Sequence, residues 1–187
     1  MLTDPYATGV LKPEHHDRLV ADLANYAKDA AIQPQWIWSP LPEGAIEERS
    51  YLQKFKQHLV SGATAGLCLI GLPDEGTVEA RMSAMAGFLV RNFVRARVMT
   101  LGTVLDAHHD GSTPDLSAIL IPNFFLSGKE AGSLAYWQVS ALFDVMVARH
   151  VTGRQTIICV SDLKALEAQY GLAIFRMINT SFVKASL

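Results

Sequence analysis

Apolar residues along this chain fall either in short unbroken runs or in longer stretches at helical spacing. The runs GLCLI (66–70), RVMTL (97–101), LSAILI (116–121) and TIICV (156–160) have strand length, and 116–121 and 156–160 are apolar enough to be covered on both faces. Helical spacing marks 13–31 (Leu19, Val20, Leu23, Ala24, Ala27), 46–61 (Tyr51, Leu52, Phe55, Leu59), 78–93 (Met82, Met85, Ala86, Leu89, Val90) and 135–150 (Trp137, Leu142, Phe143, Met146, Val147). The segment 102–109 reads as a short helix or loop, 162–170 and 171–178 as two short helices, and 180–187 as a fifth strand. Strands alternating with helices predict an α/β fold, a three-layer α/β/α arrangement around a mainly parallel five-stranded sheet with right-handed crossovers.

Ahead of this body, 1–12 is polar and irregular, and QPQWIWSPLP (33–42) holds three prolines and the pair Trp36 and Trp38. It reads as an extended linker whose indoles pack on the main body. The expected division is 1–48, a helical extension with its Trp/Pro linker, and 49–187, the α/β domain.

The first strand leads into AGLCLIGLPDEGTVEAR (65–81), a strand, a Gly- and Pro-containing loop and a helix start, the setting of a phosphate-binding loop. Gly71 and Gly76 keep the glycine spacing of G-x-x-x-x-G-K-[ST], with Thr77 at the lysine position and Val78 at the hydroxyl position. A working loop needs the ammonium for the β and γ phosphates and the hydroxyl for Mg²⁺. Thr77 has no charge and Val78 cannot ligate a metal, while Asp74 and Glu75 would repel a triphosphate by about 1–4 kcal/mol each. The same glycines also suit an ordinary strand end and turn. The third strand ends in Pro122-Asn123, where hydrolases of this architecture carry the acids that hold Mg²⁺ and activate water. The expectation is therefore no ATPase activity and no cofactor. Arg81, about one helical turn (~6 Å) past Thr77, is the residue that would have to replace the lysine in an atypical ATPase.

The totals sharpen this picture. The chain has 187 residues, is 50% hydrophobic and carries a formal charge of -2, so a sizeable core is available and a strongly basic nucleic-acid binder is disfavoured. A local patch stays open: Arg91, Arg95 and Arg97 gather at the end of a helix, and Trp36 and Trp38 are aromatic enough to stack on bases, which makes these five the candidate contacts for weak single-stranded DNA binding. A solvated helix end and an apolar clamp are the ordinary uses of the same residues. Cys68 and Cys159 lie in apolar runs and read as reduced core residues. The adjacent pairs His15-His16 and His108-His109 diverge and do not chelate one ion, so no metal site is expected. With no signal-peptide pattern and no run of about 18 apolar residues, no membrane association is expected and the cytoplasm is the expected compartment.

From Phe55 onward the order of elements resembles the AAA+ domain of DnaC/IstB-type helicase loaders. GLCLIGLPDEGTVEA resembles that family's Walker A segment, PDLSAILIPNFF its Walker B segment, and RQTIICVSDL its sensor 1 strand with Ser161 at the polar position. GLAIFRMI resembles the segment bearing the arginine finger, which places Arg176 there; a surface salt bridge is the alternative for that side chain. The resemblance implies an AAA+ P-loop domain without a C-terminal lid. It also implies a place in DNA replication or recombination, such as that of a phage or other mobile element, with a replicative helicase, a helicase loader or a related ring as protein partner. The departures at Thr77, Val78, Pro122 and Asn123 leave out hydrolysis. The oligomeric state stays open.

Overall fold

Five short apolar strands, β1 (Gly66–Ile70), β2 (Ala96–Val98), β3 (Ala118–Phe125), β4 (Gln155–Val160) and β5 (Phe182–Ser186), pair in the order β2-β3-β4-β1-β5. Every ladder is parallel, as the strand-and-helix alternation requires. The computed structural model describes residues 13–72, 77–127 and 134–187. Side chains alternate across the pleat, so Leu67, Leu69, Leu120, Ile157 and Cys159 enter one core, and Cys68, Ile119, Ile121, Ile158 and Val160 enter the other. Burying each such aliphatic contributes roughly 1.5–3 kcal/mol.

The first face is covered by α3 (Ile46–Gln53), α4 (Phe55–Ser61) and α5 (Thr77–Arg91), through Tyr51, Leu52, Phe55, Val78, Met82 and Met85. The second is covered by α6 (Leu101–His109), α7 (Tyr136–Val151) and α8 (Leu163–Ser181), through Val104, Leu105, Leu142, Met146, Leu166 and Ile174. The expected three-layer α/β/α architecture is therefore the observed one. At the amino edge of the sheet a buried polar network fastens the layers. Tyr51 donates to Gln155 Oε1 at 2.8 Å, Gln155 Nε2 donates to the Thr64 carbonyl at 2.9 Å, and Arg149 donates to the Gln155 carbonyl at 2.7 Å and to Thr156 Oγ1 at 3.1 Å. Burial lowers the Arg149 guanidinium to about 10.

Several elements differ from the sequence expectation. The single helix over 13–31 is two, α1 (Pro13–Ala21) and α2 (Leu23–Asp29), because Asp22 leaves helical geometry and its carboxylate takes the Asn25 amide at 2.5 Å. The helix over 46–61 breaks at Lys54 into α3 and α4. The linker is not extended: Pro34–Ile37 forms a 3₁₀ turn, and Ile37 and Trp38 join Leu19, Ala27, Ala30 and Val90 in a third cluster. Strand β2 stops at Val98, since Thr100 caps α6 by accepting from the Thr103 amide at 3.2 Å. Strand β3 runs on through Pro122 and Asn123 to Phe125, with a register shift between Ile121 and Phe125 that lets proline sit in the ladder. The two short helices expected over 162–178 are the two halves of α8, kinked at Gly171 (φ 82°).

One contact fixes the amino-terminal segment on the domain. A Cβ at Gly87 would lie 2.0 Å from the Trp36 carbonyl oxygen and 2.9 Å from Ile37 Cα, so α5 meets the 3₁₀ turn backbone to backbone.

Candidate functional site

In a parallel sheet ligands bind outside the carboxyl ends of the strands, where neighbouring connections diverge. Here β1 leads toward α5 and on to β2 at the far edge, whereas its neighbour β4 leads to β5 on the other side. The crevice at the carboxyl ends of β1, β4 and β3 is the candidate site, and the sequence-matched positions converge there.

Gly71 closes β1 with φ 146°, its amide donating to the Val160 carbonyl at 3.1 Å. Gly76, with Asp74 and Glu75, lies outside the described residues. Thr77, exposed, is the first residue of α5, and Val78 is turned into the core. A groove of about 440 Å³ opens beside Thr77 between Trp36, Pro40 and Pro42 on one wall and Ala80, Arg81 and Ala84 on the other. Arg81 does not stand free in it. Its Nη1 lies 2.8 Å from Glu48 Oε1, in an ion pair whose carboxylate side chain is 1% exposed and whose guanidinium side chain is 14% exposed. The same nitrogen lies 3.5 Å from the Ser186 carbonyl, so Arg81 ties α5 to α3 and to β5.

On the neighbouring strands the polar groups are also engaged. Pro122 is buried, and Asn123 Oδ1 accepts from the Leu101 amide at 2.9 Å, joining β3 to the start of α6. Ser161 Oγ accepts from the Ser127 amide at 2.6 Å and donates to Ser127 Oγ at 3.0 Å, tethering the loop after β3. The next residue, Asp162, caps α8 by accepting from the Lys164 and Ala165 amides at 2.8 and 3.2 Å. Burial raises the Cys159 thiol to about 12, with the Glu79 charge adding to it. Burial likewise raises the Tyr170 hydroxyl, which donates to the Phe124 carbonyl at 3.1 Å, to about 12. Neither titrates near neutral pH.

Arg176 is exposed on α8, away from these contacts, and its guanidinium makes no ion pair or hydrogen bond among the described residues. Among the described residues no His, Cys, Asp and Glu group has the spacing to hold a metal ion, and no helix is long and apolar enough to cross a membrane.

The five candidate DNA contacts do not form one surface, which corrects the expectation of a shared patch. Trp38 is 8% exposed and packs 5.6 Å from the His16 ring, so no face is open for a base. Arg91 is equally buried, donating to the Ile37 carbonyl at 2.6 Å and lying over the Phe88 ring, and burial lowers its pKa. Trp36 lines the groove at Thr77. Only Arg95 and Arg97 are exposed arginines of the set, at the opposite, amino edge of the sheet on and beside β2. Sequence reasoning missed Glu48, although it precedes Tyr51, Leu52 and Phe55 by three, four and seven residues and so falls on the apolar stripe.

No protein-family profile and no curated protein sequence matches this chain. Solved structures do. Domain III of the Thermotoga maritima replication initiation protein DnaA superposes with a TM-score of 0.57 at 17% identity, covering 83% of this chain and 68% of that one. A replication initiator DnaA bound to AMPPCP and single-stranded DNA gives 0.52 at 12% identity, covering 79% of this chain and 47% of that one. The DnaC helicase loader gives 0.52 at 12% identity, covering 87% of this chain and 98% of that one. This chain thus spans about half the length of the longer initiator. With the parallel sheet and the β1-to-α5 crevice already in place, the fold of this chain is the AAA+ fold of the DnaA initiators and the DnaC loader.

Proposed function

We propose that this domain works in DNA replication or recombination as an adaptor without ATPase activity, binding a replicative helicase, a helicase loader or a related ring through the surface of its AAA+ fold. The observation that carries the reading is the Glu48–Arg81 pair. Thr77 and Val78 supply neither charge nor metal ligand, and Arg81, the one cation among the described residues lining the groove beside them, is spent on a buried carboxylate. Freeing it for a phosphate would leave Glu48 buried and uncompensated, which is costly. Asn123 and Ser161, at the other two stations, are committed to holding α6 and the loop after β3. Arg176 is exposed and unpaired among the described residues, which supports a reading in which it would act on a neighbouring subunit's nucleotide in a mixed ring.

Isothermal titration with ATP and Mg²⁺ tests the loss of nucleotide binding. The expected result is no saturable heat up to about 1 mM, a standard free energy weaker than roughly -4 kcal/mol. Micromolar binding, with turnover abolished by substituting Gly76, would overturn the proposal.

A further inference from the structure

A second cavity lies away from the crevice, at the amino edge of the sheet, where α1 and α2 meet β2. It encloses about 500 Å³, within the range of roughly 300–1,000 Å³ usual for ligand pockets. Three exposed guanidiniums line it, Arg18 from α1 and Arg95 and Arg97 from β2 and its approach, against the single lining carboxylate of Asp29. Between them the walls are apolar, with Val90, Val94 and Leu116 among the lining residues. In a chain of net charge -2 this is a local concentration of positive charge over an apolar floor.

Two details select the ligand. Arg97 makes no ion pair or hydrogen bond among the described residues, and Arg95 has only a loose pair with Asp115 at 3.7 Å, in which both side chains are about two-thirds exposed. Both cations are therefore available to an incoming anion. The aromatic side chains are not: Arg18 sits 5.2 Å over the Phe93 ring, and His15 and Tyr26 pack against that ring edge to face at 5.5 and 6.1 Å. A nucleotide would find phosphate contacts here, but the Phe93 ring is already covered by Arg18 and edged by His15 and Tyr26. A peptide that brings carboxylates to the arginines and an aliphatic or aromatic side chain to the floor uses every wall.

We propose that this pocket is a docking site for an acidic, apolar segment of a protein partner. The site deepens the adaptor reading by giving the partner's chemistry, and it rests on that reading only in taking the partner to be a protein. Peptide binding at the amino edge and nucleotide binding beside Thr77 are measured separately, so failure of one is distinguishable from failure of the other.

Fluorescence anisotropy of the full chain is read with three labelled probes at about 50 mM salt: a hexapeptide with a Leu-Phe pair between two glutamates on each side, the same peptide with lysines for glutamates, and a single-stranded oligo-dT. The glutamate peptide is expected to saturate below about 1 mM, to weaken with added salt, and to lose at least tenfold in affinity in Arg97→Glu and in the double variant with Arg95→Glu. The lysine peptide is expected not to bind. Both positions are exposed, and melting curves matching the parent show that a loss is local. No saturation by the glutamate peptide, or binding that Arg97→Glu leaves unchanged, overturns the proposal. So does oligo-dT binding that is tighter than the peptide's and is lost in Arg97→Glu, which would make the pocket a nucleic-acid site.

Discussion

Three charged side chains on apolar helix faces explain more of this protein than its glycine loop does. Glu48 falls in line with Tyr51, Leu52 and Phe55; Arg149 follows Leu142, Val145 and Met146 by seven, four and three residues; Arg91 follows Ala84 and Gly87 by seven and four. Each is buried, and each is met by a partner from another element: Arg81 for Glu48, the Gln155 carbonyl of β4 for Arg149, and the Ile37 carbonyl for Arg91. The sequence carried this signal as a charge in an apolar stripe, whereas the partners, 33 to 54 positions away for Glu48 and Arg91, became visible only with the fold. For Glu48 and Arg81 the consequence is measurable. Glu48→Gln leaves the guanidinium half-matched inside the domain and should cost about 3 kcal/mol, a drop in melting temperature of roughly 6–12 °C for a domain of this size. The double variant Glu48→Leu with Arg81→Met should cost less than that single change, because no charge is left buried. A single variant that melts within about 2 °C of the parent would show that the pair is a surface contact.

Elements were legible in kind and less so in extent. The strands β1 and β4 carry unbroken apolar runs over 66–70 and 157–160, and such runs place themselves; the sequence ends β3 at Ile121 because proline ordinarily ends a ladder, and here a register shift accommodates it. The prolines of the Trp/Pro segment predict an extended chain for the same residue-level reason, yet the backbone of Trp36 and Ile37 docks on Gly87, a contact that no local pattern announces. Strands β1 and β4 also hold the two thiols, and their burial makes stability depend on alkaline pH. Burial, with the charge of Cys159 adding, raises Cys68 to about 12, and Cys159 itself stands at about 12, against an ordinary value of 9.0. Between those values the unfolded chain has lost protons that the folded chain keeps, so stability is full below pH 9 and falls as pH rises. Each thiol contributes about 1.4 kcal/mol per pH unit in that window. Above pH 10 Arg149 acts in the opposite sense, since its folded form releases its proton first, but the buried Tyr51 and Tyr170 hydroxyls, both raised above their ordinary 10.0, act with the thiols, so the fall continues past pH 10. Melting under reducing conditions from pH 8 to 10 should show this slope, and Cys159→Ala should remove about half of it; a flat profile would contradict the burial of the thiols as ionisable groups.

At the scale of the whole molecule, the alternation of apolar runs and helical stretches was enough to foresee a parallel five-stranded sheet with helices on both faces, and the order of motifs was enough to foresee an AAA+ fold. The candidate site was legible by position, as Gly71, Thr77, Val78, Asn123 and Ser161 do come to one edge of the sheet. What each side chain does there was not, because Asn123 and Ser161 act through backbone groups of segments distant in sequence. The DNA-contact set failed as a patch for a related reason: nearness along the chain put Arg91 beside Arg95 and Arg97, while helix geometry turned Arg91 inward. A crystal structure of the protein soaked with millimolar ATP analogue and Mg²⁺ tests the adaptor account most directly. The account predicts a crevice beside Thr77 without nucleotide and with Arg81 still on Glu48; a metal-bearing triphosphate seated on the first turn of α5, with Arg81 swung onto its phosphates, would contradict it.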